Sequence, residues 1–431
     1  MPLHRDACDD SRIGRRQFGR LVLTAAAGFA KLAAAASGPQ AIDETLRAGL
    51  QRRGIPAVVG IVADGRSILY SGAFGTRDSA SGTAVDMNSL FSIMSMTKAI
   101  TTTAALQLVE QGKLKLDEPA ARHLPELGEL KVIAGFDAST GDPMLRPASK
   151  PVTLRHLLTH TSGFAYATWN ETMFRYAQKT GTLYAESITD PPSPLVFEPG
   201  TAWQYGTSLD WTGRMVEAAS GKSLEQYFQD NILKPLEMKD TSYFIAPEKF
   251  DRLVAFYQRK ADGTLVQNPR VKPAPPAMPT GGGGLYSTAP DYIRFTQMIL
   301  GKGSVRFENG REVRILKPET VAQMSRNQIG SLGAVKLRSF QPDDSADVDL
   351  HPGAQDKWGL GFLINPVAYN GGRSAGSLAW AGSKNTFYWI DPHRNLAAVI
   401  LMQFLPFVDK EAVGMLGDFE RSVYANIAGR A

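Results

Sequence analysis

Ser95 and Lys98 stand three residues apart in Ser95-Met96-Thr97-Lys98. On a helix, positions i and i+3 share a face, so the amine of the second can reach the hydroxyl of the first. A serine hydroxyl is a weak nucleophile until a base takes its proton. A partly buried lysine can be that base, because desolvation disfavours its charged form. If Ser95 opens a helix, the free N–H groups and positive dipole end there favour a developing oxyanion. The pair therefore predicts acyl transfer through an ester on Ser95, a chemistry that needs no metal or cofactor. The same spacing also suits a plain helix cap beside an exposed lysine, so the surroundings must decide.

The elements that must hold this pair can be read from periodicity and turn residues. Ile100, Ala104 and Leu108 predict a helix over residues 95–111, stopped by Gly112. Upstream, apolar runs at 58–63 and 67–74 flank Asp64-Gly65-Arg66, a hairpin signal. A second hairpin is predicted from runs 385–390 and 396–402 around Asp391-Pro392-His393-Arg394-Asn395. Helices are predicted at 153–158, 209–219, 224–232 and 410–428. Ser287-Thr288-Ala289-Pro290-Asp291 caps another that runs to Leu300. The four glycines Gly281 to Gly284 would let backbone approach the floor of a site. Polar stretches at 136–151 and 340–357 read as surface insertions. Strands at both ends and helices between predict an α/β (α+β) fold: one antiparallel sheet made from the two chain ends, flanked by helices, with a helical region inserted over about residues 95–300.

The 431 residues are 43% hydrophobic and 21% charged, enough apolar mass for a large core. The net charge of +5 is spread out, with no run of five Lys/Arg, which argues against nucleic acid as a partner. The first residues read separately. Arg15-Arg16-Gln17-Phe18, an apolar stretch over 21–30 and small residues at Ala33 to Ala36 have the order of a twin-arginine export signal. The apolar stretch is too short to span a bilayer. Residues 1–36 are thus expected to be a leader and 37–431 a single catalytic domain, exported to the periplasm without stable membrane insertion. A cut after Ala36 removes six basic and three acidic residues and lowers the net charge from +5 to +2. It also removes Cys8, the sole cysteine, so thiol catalysis and a disulfide scaffold are excluded. Nothing in the sequence indicates an oligomeric state.

Leu90-Phe91-Ser92-Ile93-Met94-Ser95-Met96-Thr97-Lys98 resembles the nucleophile segment of serine β-lactamases, penicillin-binding proteins and their esterase relatives. Three further segments match in order. Residues 151–163, from Pro151 through His156 and His160 to Gly163, resemble the family's long structural signature. Phe197-Glu198-Pro199-Gly200-Thr201-Ala202-Trp203-Gln204-Tyr205 looks like its second motif, and Trp380-Ala381-Gly382-Ser383 its third. The resemblance covers about residues 44–404. It implies a β-lactamase/transpeptidase-like fold with Ser95 as nucleophile and Lys98 and Tyr205 as catalytic partners. A phenol titrates near pH 10, but an adjacent ammonium favours its anion, so Tyr205 is expected to relay the Ser95 proton to the leaving group. The backbone N–H groups of Ser95 and Ser383 would form the oxyanion hole.

Two positions depart from the family pattern. Thr207 stands where β-lactamases and transpeptidases have Asn, and Trp380 where they have Lys or His. Trp380, Gly382 and Thr207 are expected to contact substrate, with Trp380 an apolar wall in place of a cation. Lys384, four residues on, is a further cation nearby. The Trp-led third motif, with Trp203, Tyr205 and Asp210, resembles family VIII carboxylesterases and related acyltransferases. The expected function is a carboxylesterase for small neutral esters. The alternatives are a β-lactamase or D-amino-peptidase/carboxypeptidase, an acyltransferase, and a non-catalytic penicillin-recognition module. The partner is a small-molecule ester, with no cofactor and no metal.

Two other patterns compete. Gly372-Arg373-Ser374-Ala375-Gly376 fits the G-x-S-x-G elbow, but that elbow needs a helix after it, and Gly376 and Gly382 follow here. His156 and His160 have the i, i+4 spacing of zinc ligands, without the following Glu or an evident third ligand.

Overall fold

The structure, a computed structural model, describes residues 38–183, 188, 191–276, 278–334 and 336–427. The expected export signal, Cys8 and the cut at Ala36 lie outside the described residues.

Both predicted hairpins form, and in each an aspartate builds the turn. β1 (Ala57–Ala63) and β2 (Ile68–Asp78) are joined where Asp64 Oδ1 accepts from the N–H groups of Arg66 and Ser67, at 2.7 and 2.6 Å. β3 (Thr83–Ala84) follows. The C-terminal strands are β4 (Lys357–Trp358), β5 (Leu363–Ile364), β6 (Leu378–Gly382), β7 (Thr386–Asp391) and β8 (Leu396–Leu401). Between β7 and β8, Asp391 Oδ1 accepts from His393 and Arg394 N–H, both at 3.1 Å. The sheet order is β4-β5-β6-β7-β8-β1-β2-β3, antiparallel throughout. The two ends of the chain therefore meet at β1 and β8, where Gly60 lies opposite Ile400. β1, β7 and β8 are buried along their whole length, which is why they read as unbroken apolar runs.

Helices cover both faces. They are α1 (Pro39–Arg53), α2 (Thr97–Glu110), α3 (Leu154–Leu158), α4 (Glu171–Thr180), α5 (Ser208–Ser220), α6 (Leu224–Phe228), α7 (Ala289–Leu300), α8 (Pro318–Met324) and α9 (Lys410–Asn426). Neighbouring strand residues point to opposite faces. Trp389 meets Phe419 of α9, ring centroids 5.7 Å apart, while Tyr388 meets Tyr292 of α7 at 5.2 Å. Trp380 lies opposite Tyr388 in the register, so it is directed to the α7 side, where the inserted helical region sits.

Three expectations change. The helix predicted over 224–232 stops as α6 at Phe228 and continues as a π-helical turn, Gln229–Leu233. Part of the polar stretch 136–151 is not irregular: Pro143–Pro147 pairs with Lys131–Phe136, over a turn that Asp137 fixes by accepting the N–H groups of Ser139 and Thr140. Residues 340–357 are tied into the body, since buried Ser345 accepts the Trp169 indole N–H at 3.0 Å.

Candidate active site

The nucleophile segment is pinned between the sheet and the glycine loop. Phe91–Ser92 pairs with Tyr286–Ser287, and Ile93 N–H reaches Leu285 O at 3.0 Å. The chain then turns sharply at Met94, whose φ of +45° is in the left-handed region that a side chain rarely adopts. Ser95 sits in a single 3-10 turn, Met94–Met96, and α2 starts only at Thr97. The expected helix start is thus displaced by two residues, yet the geometry it was to provide is present. Residues 97–108 of α2 are all buried, so the helix is central and Lys98 has nowhere to go but inward; it is 1% exposed.

Lys98 Nζ lies 3.0 Å from Ser95 Oγ, 3.3 Å from Tyr166 Oη and 2.6 Å from Gly282 O. Three acceptors match the three N–H donors of an ammonium. Gly282 is itself held by the Asp210 carboxyl at the start of α5, whose Oδ1 accepts its N–H at 2.8 Å. A Cβ on Gly282 would come within 2.5 Å of Asp210 Oδ2, so this position admits no side chain. Burial raises the Asp210 carboxyl above its usual range, opposed by the Lys98 charge.

Tyr205 and Lys98 meet differently from the expected relay. Lys98 Nζ lies 4.9 Å from the Tyr205 ring centroid, a cation–π contact. Among the described residues, the hydrogen-bond partner of Tyr205 Oη is Trp380 Nε1, at 3.1 Å. Tyr166 Oη is the phenol oxygen within hydrogen-bond reach of the amine. Burial, with Asp210 and Tyr205 adding to it, pushes the Tyr166 hydroxyl well above its ordinary pKa, so it stays protonated. Trp380 is not the expected apolar wall, since it is not among the residues lining the cavity at Ser95. It is 6% exposed, packed edge-on against Trp358 with centroids 4.7 Å apart, and its N–H steers Tyr205.

The cavity above Ser95 has a volume of about 710 Å3. Ser95, Tyr166, Ser383 and Asp210 line it with Trp169, Tyr243, Phe256, Tyr286 and Met278. Lys384 is also on this wall, its Nζ 4.7 Å from the Phe256 ring centroid. Gly382 lies just behind, where a Cβ would strike Ile93 O at 2.3 Å, so β6 can approach the nucleophile turn only with glycine there. Thr207 is placed elsewhere: it is buried at the start of α5, where its carbonyl accepts Asp210 N–H at 3.0 Å, and it is not among the lining residues.

The chain matches the beta-lactamase family over residues 42–415. It belongs to that family. It is 30% identical over 413 residues to the monacolin J acid methylbutanoyltransferase of Aspergillus terreus, covering 91% of this chain and 97% of that protein. It is 29% identical over 407 residues to the lovastatin esterase of Penicillium rubens, with 89% and 98% covered. Among solved structures, a variant of simvastatin synthase from Aspergillus terreus superposes with a TM-score of 0.78 at 28% identity, covering 93% of this chain and 98% of that one. The fold is thus the β-lactamase/transpeptidase-like one, and members of the family transfer acyl groups through a serine.

Within this beta-lactamase framework the competing patterns have other roles. Ser374 lies in a loop against α9, on the far side of the sheet, with Asp391 Oδ2 accepting its N–H at 2.8 Å. β6 follows the loop, not the helix an elbow requires. His156 caps α3, exchanging hydrogen bonds with Thr153. His160 is buried among the rings of Trp203, Tyr205 and Trp358, and burial lowers its pKa, so it packs as a neutral ring. Among the described residues, no group of three His, Cys, Asp or Glu could hold a metal ion, and no helix is long and apolar enough to cross a membrane. Sequence reasoning missed Tyr166, three residues beyond the recognisable segment that ends at Gly163. A tyrosine in Phe164-Ala165-Tyr166, just past that glycine, was the available signal.

Proposed function

We propose that this protein forms an acyl-enzyme on Ser95 from small neutral carboxylic esters and passes the acyl group to water or to an alcohol. The observation that carries this is the 3.0 Å approach of Lys98 Nζ to Ser95 Oγ at the floor of a cavity walled by aromatic side chains. As Ser95 Oγ attacks the ester carbonyl, its proton passes to the Lys98 amine. The C–O bond to the alcohol then breaks, and the departing oxygen takes a proton from the protonated Tyr166, which Lys98 restores. The N–H groups of Ser95 and Ser383 receive the oxyanion. Water or an acceptor alcohol reverses the sequence and frees Ser95. The aromatic side chains on the cavity wall suit the acyl and alcohol parts of a small neutral ester.

Transfer to an alcohol is a second reading with its own support, since relatives are named for acyl transfer as well as for ester cleavage. A short-chain nitrophenyl ester, offered with and without an alcohol acceptor, distinguishes the two by the ratio of transferred to free acid. Nitrocefin run beside it tests the β-lactamase alternative, and dominant lactam turnover would remove the ester assignment. Ser95→Ala is expected to abolish ester turnover and labelling by a fluorophosphonate. Ser374→Ala is expected to leave both within about twofold, as for a surface position away from the chemistry. The opposite pattern moves the nucleophile to Ser374.

A further inference from the structure

A base must present its lone pair to the proton it takes, and proximity alone does not ensure that. Lys98 Nζ has three oxygens in reach, and they differ in kind. Hydroxyls of Ser95 and Tyr166 can donate or accept, whereas the carbonyl of Gly282 can only accept. Gly282 O therefore claims one N–H of Lys98 in either protonation state. In the neutral amine, two N–H bonds and one lone pair remain to be shared among three oxygens. With one N–H fixed on Gly282 O and the other on Tyr166 Oη, the lone pair faces Ser95. By taking one N–H, that backbone carbonyl leaves the lone pair only the two hydroxyls to face, and with Tyr166 as acceptor it faces Ser95.

That carbonyl is located by Asp210. Its Oδ1 accepts the Gly282 N–H at 2.8 Å, the residue is 4% exposed, and the glycine sits so close that no Cβ fits between them. On the other side Thr101 Oγ1 of α2 donates to Gly281 O at 2.7 Å. The loop is thereby strung between α5 and the same helix that carries Lys98. Among the described residues, no hydrogen bond joins Asp210 directly to Ser95 or Lys98, so Asp210 acts through Gly282.

We propose that Asp210 is a positioning residue for the acyl-transfer reaction: by gripping the Gly282 N–H it holds the Gly282 carbonyl on Lys98 and keeps the lysine lone pair aimed at Ser95. This rests on the assignment of Ser95 as the acylated nucleophile. The test compares the full-length protein with Asp210→Ala, Asp210→Leu and Asp210→Asn, reading both fluorophosphonate labelling rate and kinetics on a short-chain nitrophenyl ester. The Ala and Leu variants lack the acceptor, Leu while keeping the branching at Cγ. Both are expected to lose about 10- to 100-fold in labelling rate and kcat, the scale of a small misplacement of a reacting group, with KM within about twofold. Asn keeps an oxygen for the Gly282 N–H and is expected to restore rates to within about threefold of the parent, where the bond and not the charge matters. Ala and Leu variants as fast as the parent would overturn the proposal. So would an Asn variant as slow as Ala, or loss of the folded circular dichroism in both Ala and Leu, which would make Asp210 a stability residue. A parent protein that neither labels nor turns over ester removes the acyl-enzyme reading itself. A parent that labels while Asp210→Ala labels equally fast removes only the role of Asp210.

Discussion

Two phenols flank one amine, and they are not equivalent. Tyr166 offers its oxygen to Lys98 Nζ, while Tyr205 offers its ring face and spends its oxygen on the Trp380 indole. A phenol kept protonated by burial is a proton donor at neutral pH, and Tyr166 also faces the cavity. Tyr166→Phe is therefore expected to lower kcat by about 10²- to 10⁴-fold, the usual worth of a general acid or base, with little change in melting temperature. Tyr205→Phe leaves the Trp380 N–H buried and unpaired, a cost of about 1–3 kcal/mol that a thermal melt will show. Ester kinetics on both variants settle the division: if kcat collapses only in Tyr205→Phe, the relay runs through Tyr205. Ser95 and Lys98 were legible in the sequence because the flanking segment resembles a known nucleophile motif, the i, i+3 spacing alone suiting a plain helix cap as well. Tyr205 was legible from its flank, although not its hydrogen bond. Tyr166 was not, because its place depends on a loop that docks on Tyr205 O through its own N–H. The partner of Asp210 lies 72 residues away, and no local pattern reports such a pairing.

At the scale of elements, local chemistry was most readable where a side chain makes its own turn or cap. Asp64 and Asp391 build the two hairpin turns, and Thr288 caps α7 by accepting Asp291 N–H at 3.3 Å. The π-helical turn after α6 was not readable, since nothing in the side-chain period distinguishes it from a continuing helix. Asp291 at the start of α7 has a further consequence. Burial raises its carboxyl to about 6, although Asp240 N–H and Thr241 Oγ1 both donate to it. The folded protein holds this proton to higher pH than the unfolded chain, whose carboxyl titrates near 3.9. Stability from this group is therefore full below about pH 4 and is lost as pH rises through about 6, by roughly 2–3 kcal/mol at most. Asp291→Asn keeps an oxygen for both donors and removes the titration. Denaturant melts at pH 4, 5, 6 and 7 are expected to show a flatter pH dependence in the variant, whereas equal slopes would mean that Asp291 titrates normally.

For the whole molecule, the two-ended sheet was legible because both hairpins stand near the ends of the chain and the helical periods lie between. Which way Trp380 points was not, because that depends on a register shared across β6 and β7. The far side of the sheet depends on another long-range pairing. Arg373, in the loop before β6, makes two hydrogen bonds to Glu420 of α9, at 2.9 and 2.6 Å, and both side chains are buried. Glu420→Gln strands the guanidinium without its counter-charge. It is expected to cost about 3–5 kcal/mol, measured as a lower unfolding free energy, with ester turnover at room temperature preserved. A change below about 1 kcal/mol would show that solvent reaches Arg373.

The pairing of β1 with β8 also governs how the protein must be made. Val59 finds its partner in Leu401, more than 300 residues later, and every residue of β1 is buried in the finished sheet. A ribosome adding about 5–20 residues per second leaves the β8-facing edge of β1 unsatisfied for roughly 20–70 s, with only β2 beside it. The central sheet can close only after nearly the whole chain has emerged. Until then the nascent polypeptide carries a long, sticky edge, so its yield in a cell will depend on whatever shields that edge during synthesis.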